Sequence, residues 1–171
     1  MTIGHSTRAL EDFSRLLLES AVKRVVDVRM VPRSRHVPQF NRETLPAQLS
    51  MVGIGYVHMA GLGGLRRPLK DSPNMGWRNS SFRGFADYMQ SKEFEESLQA
   101  LIGLSERERI ALMCAEALPW RCHRSLIADA LVVRDVCVQH VLGPSRLLPH
   151  ALTSWAKVDG IRITYPSLEK S

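Results

Sequence analysis

Five short apolar runs recur along the chain, separated by stretches with helical periodicity, and this alternation restricts the fold more than any other feature. The runs are Thr2-Ile3, residues 24–29 (Arg-Val-Val-Asp-Val-Arg), 55–59 (Gly-Tyr-Val-His-Met), 109–114 (Arg-Ile-Ala-Leu-Met-Cys) and 136–142 (Val-Cys-Val-Gln-His-Val-Leu). Between the first two, residues 9–19 place Leu10, Phe13, Leu16 and Leu17 on one helical face, and Ser6 or Thr7 can cap its start. Further helices are expected over 44–52, 81–90, 92–103 and from 122–124 to about 134, with one more in the tail beyond 146. Strands separated by helices cannot pair as hairpins; they form a mainly parallel sheet covered on both faces. The expected fold class is therefore α/β: a single three-layer domain over residues 1–171, with a Rossmann-like or flavodoxin-like sheet of about five strands.

The bulk properties agree with that reading. A chain of 171 residues, 44% hydrophobic, can bury one core without disulfides or a structural metal. Its three cysteines are odd in number and lie between 114 and 137, so they form no evenly paired framework. The start, MTIGHSTRAL, lacks the basic-then-apolar layout of a signal peptide. No apolar run approaches the ~20 residues of a membrane span. A cytoplasmic protein with reduced thiols is expected. The formal net charge of +6 favours an anionic partner such as a nucleotide or nucleic acid.

In open α/β sheets, ligands bind outside the carboxyl ends of the strands, so the residues that follow each strand carry the functional expectation. After the first come Gly4-His5-Ser6-Thr7, leading into a helix whose free N–H groups suit a phosphate or carboxylate. After the second come Asp27 and Arg29, then Arg33 and Arg35; an arginine fork matches phosphate geometry. After the third come His58 and Gly61-Leu62-Gly63-Gly64-Leu65-Arg66-Arg67, where glycines admit close backbone approach. The irregular stretch at about 60–80 is long enough to be functional or mobile.

The densest signal follows the fourth strand: Cys114-Ala115-Glu116, Pro119, then Cys122-His123-Arg124 at a helix start. A thiol facing a helix N-terminus can have a lowered pKa. Glu116 can act as general acid or base, and His123 can move a proton or bind metal. Cys114, Glu116 and His123 are the expected catalytic residues, and His5, Ser6, Thr7, Asp27, Arg29, Arg35 and Arg124 the expected ligand-binding ones. In the last strand, Cys137 alternates with Val136 and Val138 and is expected in the core; His140 is the weaker candidate for the pocket.

Taken in order, Thr2-Ile3-Gly4-His5-Ser6, Asp27-Val28-Arg29 with Pro32 and Ser34-Arg35, Leu62-Gly63-Gly64, and Cys114-Ala115-Glu116 with Pro119 and Cys122-His123-Arg124 resemble the successive signatures of the bacterial and archaeal "domain of unknown function 488" family. The resemblance spans about residues 2–142 and implies no particular reaction. Family members carry a few residues before the first of these segments, so the first strand here is expected to be short.

Three functional classes remain open on the sequence. The leading expectation is an enzyme, of hydrolase or glycosidic-bond-cleaving type, that binds a phosphate-bearing ligand at the carboxyl edge of the sheet. The second is a metal or thiol-redox site built from Cys114, Cys122 and His123, with a divalent metal as possible cofactor. The Cys-x7-Cys-His spacing is not a zinc-finger pattern, and Cys-x-x-Cys is absent. The third is a non-catalytic nucleic-acid-binding module using the basic loops at 29–35 and 66–67, with Trp77 and Arg78 to stack a base. Aromatic content of only 6% counts against the third.

Overall fold

The computed structural model describes residues 1–167. Its centre is a six-stranded sheet in the order β3-β2-β4-β1-β5-β6. These strands are β1 (Thr2–Gly4), β2 (Arg24–Asp27), β3 (Gly55–His58), β4 (Ile110–Cys114), β5 (Gln139–Gly143) and β6 (Arg146–Pro149). The first five are parallel throughout; only β6 runs antiparallel, against β5. The order places β4 between β2 and β1, so the strand latest in the sequence of the three stands at the middle of the sheet.

Alternation along the strands sorts side chains between two cores. Ile3, Val25, Ala111 and Met113 face α1 (Leu10–Glu19) and α2 (Leu45–Met51), where they pack with Phe13, Leu17, Leu45 and Leu49. Val26, Val28, Ile110 and Leu112 face the other way, toward α3 (Ser80–Tyr88), α4 (Lys92–Ser105) and α5 (Arg124–Val132), where Phe85, Phe94, Leu98, Leu126 and Ile127 fill the layer. The three-layer α/β architecture expected from the sequence is the one observed. No helix among the described residues is long and apolar enough to cross a membrane.

Three local expectations are corrected. The tail holds no helix between 146 and 167: it forms β6 and a separate hairpin of β7 (Lys157–Asp159) and β8 (Arg162–Thr164). The two-residue Gly160-Ile161 turn, with Gly160 at φ +59°, closes that hairpin between paired Asp159 and Arg162. Residues 168–171 of the expected tail lie outside the described residues. Neither Ser6 nor Thr7 caps α1; its N-cap is Ala9, which offers no side-chain bond. Cys137 is exposed rather than core: β5 starts only at Gln139, and Cys137 falls on the more open side of the alternation, with Val138 and His140 buried on the other.

The long stretch 60–80 is anchored. Asp87 on α3 accepts hydrogen bonds from Leu69 N (2.8 Å), Ser72 Oγ (2.6 Å) and Asn74 Nδ2 (2.8 Å). The tail clamps the same segment: Tyr165 N donates to Asn74 Oδ1 and Gly76 N donates to Tyr165 O, each at 2.8 Å. Trp77 packs on Phe82, Trp155 and Tyr165 with ring centroids 4.8, 5.1 and 5.4 Å away. Its ring is therefore committed inside the fold and is not the free base-stacking platform expected of it.

Candidate functional site

The parallel register brings the ends of β1, β2 and β4 together. Gly4 pairs with Cys114, and Asp27 with Met113. Beyond those ends the β1–α1 turn lies against the β4–α5 loop: His5 N donates to Cys114 O and Ser6 N to Ala115 O, both at 2.9 Å. The approach is so close that a Cβ at Gly4 would lie 2.0 Å from the Glu116 carbonyl oxygen, so only glycine fits. Ser6 itself takes φ +49°, the left-handed region that a serine seldom adopts, at the wall of the pocket.

That pocket has a volume of about 630 Å³ at the carboxyl edge of the sheet. Ser6, Arg29, Cys114, Glu116, Cys122 and His123 line it, together with Gly64, Asn79, Ser81 and Arg121. The N-termini of α3 and α5 border it. A larger hollow of about 970 Å³ lies at the opposite, amino-terminal edge, where Glu106, Arg107, Arg109 and Asp135 are exposed. The smaller pocket is the one that gathers the residues after β1, β2 and β4.

Its floor is a cluster of two sulfurs and an imidazole. One donor atom from each of Cys114, Cys122 and His123 lies within 4.8 Å of the others. Cys122 Sγ is 3.7 Å from His123 Nδ1 and receives N–H bonds from Arg124 Nε (3.3 Å) and Arg124 N (3.5 Å). The neighbouring Cys114 above all holds the Cys122 thiol well below the ordinary thiol range; Arg124 acts in the same direction, against burial. The Cys114 thiol is pushed up, by Cys122 beside it and by burial. His123 Nε2 donates to the Val28 carbonyl (3.1 Å), which leaves Nδ1 as the nitrogen that faces the sulfurs.

Beneath the floor the remaining candidates are braces. Asp27 is fully buried and holds Arg29 through Nε–Oδ1 (2.9 Å) and Nη2–Oδ2 (2.7 Å); Tyr56 Oη also donates to Asp27 (2.7 Å). Arg29 spends further donors on Phe40 O (2.6 Å) and His5 Nε2 (3.2 Å). His5 stacks on Phe40 and donates Nδ1–H to Ser6 O, and burial holds its pKa down at about 4, so it is neutral. Arg124, 1% exposed, bonds Cys122, Thr2 Oγ1 (3.2 Å) and the Glu116 carbonyl. Glu116 is exposed at the rim. Thr7 and Arg35 are exposed and lie outside the pocket lining. His58 donates to Arg29 O (2.7 Å) and so stiffens the arginine's own backbone.

The sequence reading passed over two features. Asn79, Ser81 and Arg121 stand on the pocket wall, inside stretches that showed only polar composition. A buried chain also runs inward from the floor: Arg124 to Thr2, Thr2 to His140 (2.7 Å), His140 to His150 (2.9 Å) and His150 to Asp129 (2.8 Å). Asp129 takes further bonds from Thr153 and from Tyr165 Oη. His140 therefore serves the site from behind rather than reaching the pocket. No local pattern marks this chain, because its members come from four separate parts of the sequence.

Comparison with known proteins gives one match: the family model described as domain of unknown function DUF488 covers residues 9–131. No curated protein and no solved structure matches the chain.

Proposed function

The chain belongs to the DUF488 family, whose description assigns no activity, and from the geometry of its pocket we propose that it is an enzyme acting on a phosphate-bearing ligand, a nucleotide or a nucleic-acid end. One observation carries the reading: the two sulfurs of Cys122 and Cys114 and the imidazole of His123 meet at the bottom of a pocket bordered by Arg29, Arg121 and two helix N-termini. Helix N-termini and arginine attract phosphate oxygens. The reactive centre is the cluster on the floor. Glu116, at the rim, is the group placed to exchange protons with water or a leaving group.

The division of labour differs from the one expected for the arginines. Arg29 and Arg124 are held in place by buried partners, so they supply positive potential and rigidity more than a mobile grip. Arg121, exposed on the wall, is the one to contact a ligand directly.

Calorimetric titration of nucleotides against their parent nucleosides, with short single-stranded DNA alongside, tests the reading. Nucleotides should bind more tightly than nucleosides, and Arg121→Ala should weaken them by about 10- to 100-fold, the worth of one charged hydrogen bond. Glu116→Gln should then abolish turnover of whichever ligand binds. Equal affinity for nucleoside and nucleotide, unchanged in Arg121→Ala, would end the phosphate assignment.

A further inference from the structure

We propose that Cys114, Cys122 and His123 bind a single zinc ion at the floor of the pocket, with the fourth coordination position open to the pocket. This deepens the functional reading by naming its reactive centre, and rests on that reading only for what the ion would activate. The binding itself rests on the donors.

Geometry comes first. Zinc holds thiolate at ~2.3 Å and imidazole at ~2.0 Å, so a tetrahedral S···N edge is about 3.6 Å. The Cys122 Sγ to His123 Nδ1 distance is 3.7 Å. The widest donor pair in the cluster, within 4.8 Å, needs to close by only about 1 Å.

The outer partners point the same way. A metal-binding histidine usually donates its second ring N–H to a carbonyl or carboxylate, which fixes the tautomer. His123 Nε2 does this to Val28 O, and its Nδ1 lone pair is turned to the sulfurs. Cys122 Sγ already accepts two N–H bonds from Arg124. In that tautomer Nδ1 has lone pairs of sulfur in front of it, and a cation between them satisfies all three atoms. Gly64 leaves the approach clear: a Cβ there would lie 3.1 Å from Nδ1.

The donor set also selects the ion. Two thiolates and an imidazole suit zinc and reject magnesium and calcium, which require oxygen. Coordination takes both sulfurs as thiolates, and the protons the thiols hold leave to solvent. Zinc with two thiolates is neutral, so the buried Arg124 cation beside it disposes the open position toward an anion. Three protein ligands and one open position is the arrangement of catalytic rather than structural zinc.

The test uses full-length protein purified without a histidine tag. Elemental analysis should find about one zinc per chain. Protein stripped with a chelator and titrated with cobalt(II) should develop a thiolate-to-cobalt charge-transfer band. Cys114→Ser and His123→Ala should each weaken cobalt by at least the ~100-fold that even outer-partner changes reach. Cys137→Ser, whose thiol is exposed and remote, should bind as wild type. Because Cys122→Ser can disturb the buried Arg124, the wild-type chain supplies the second readout: zinc should protect Cys114 and Cys122, but not Cys137, from alkylation. Absence of the band, absence of protection, or a Cys114–Cys122 disulfide in fresh protein would overturn the proposal. Nucleotide binding by a protein that shows no cobalt band would end the zinc site and keep the phosphate reading. A cobalt band without any phosphate ligand bound would do the reverse.

Discussion

Replacing Asp27 by asparagine should cost the protein more stability than its single lost charge suggests. Asp27 is 0% exposed and Arg29 is 6% exposed, so neither charge is screened by bulk water. The carboxylate takes two bonds from the guanidinium, one from Tyr56 and one, at 3.1 Å, from the Arg29 backbone N–H. An asparagine keeps the shape but turns one acceptor into a donor, facing the donors of Arg29 and Tyr56. The guanidinium then stays buried without a counter-charge, a situation that costs about 3–5 kcal/mol. In a chain of this length about 1 kcal/mol moves the midpoint of thermal unfolding by roughly 2–4 °C, so the loss should be roughly 6–20 °C. Urea unfolding at pH 7 should give the same free energy with an unchanged slope. Asp27→Asn combined with Arg29→Met should recover part of the loss, because the orphaned charge is gone. A drop of less than about 1 kcal/mol in the single variant, or strict additivity in the double, would refute the view of this pair as a desolvated brace.

Two further outcomes follow from the same geometry. Gly4→Ala should disable the pocket, because its Cβ would meet the Glu116 carbonyl at 2.0 Å and push the Cys114–Ala117 loop away from β1; loss of cobalt binding in a still-folded protein would show it, and a wild-type cobalt titration would count against the close approach. Stability should fall on acidification from pH 6.5 toward 4. Burial lowers both His5 and His140 from 6.5 to about 4, so within that window the unfolded chain binds more protons than the folded one, and each histidine contributes a slope of up to about 1.4 kcal/mol per pH unit. Urea midpoints at pH 7, 6 and 5 measure this, and a midpoint that holds or rises would show that these imidazoles are not buried neutral.

Much of the scaffold was legible because its elements carry their own periodicity. The run at 109–114 is buried on both faces in the middle of the sheet, and an unbroken apolar strand in that position looks like nothing else. Leu10, Phe13, Leu16 and Leu17 mark α1 by spacing alone. The tail failed for the opposite reason. Its strands are three or four residues long and mostly exposed, so little alternation survives. Cys137 failed because alternation does not say which side is open, and the residue lies before β5, on the side away from buried Val138 and His140.

At the site, local density identified the loop: Cys114, Glu116, Cys122, His123 and Arg124 fall within eleven positions after a buried strand. That density cannot distribute roles. Cys122 rather than Cys114 is the sulfur that the Arg124 guanidinium and backbone N–H fold back onto. Arg35, equally promising in sequence, ends in solvent.

What the sequence determined by itself was the alternation of strand and helix, and with it a parallel sheet whose carboxyl edge must hold the polar loops. Only the tertiary structure decided which of those loops meet and which groups lie beneath them. With β4 set between β2 and β1, the three strand ends share one floor, and Thr2, Arg124, Asp129, His140 and His150 join into one buried chain. Thr2 and His140 are 138 residues apart and 2.7 Å from hydrogen-bonded partner to partner. Hydrophobic periodicity reports which face of an element is buried, not which element it is buried against; strand order supplies that second fact, and the chemistry of this pocket depends on it.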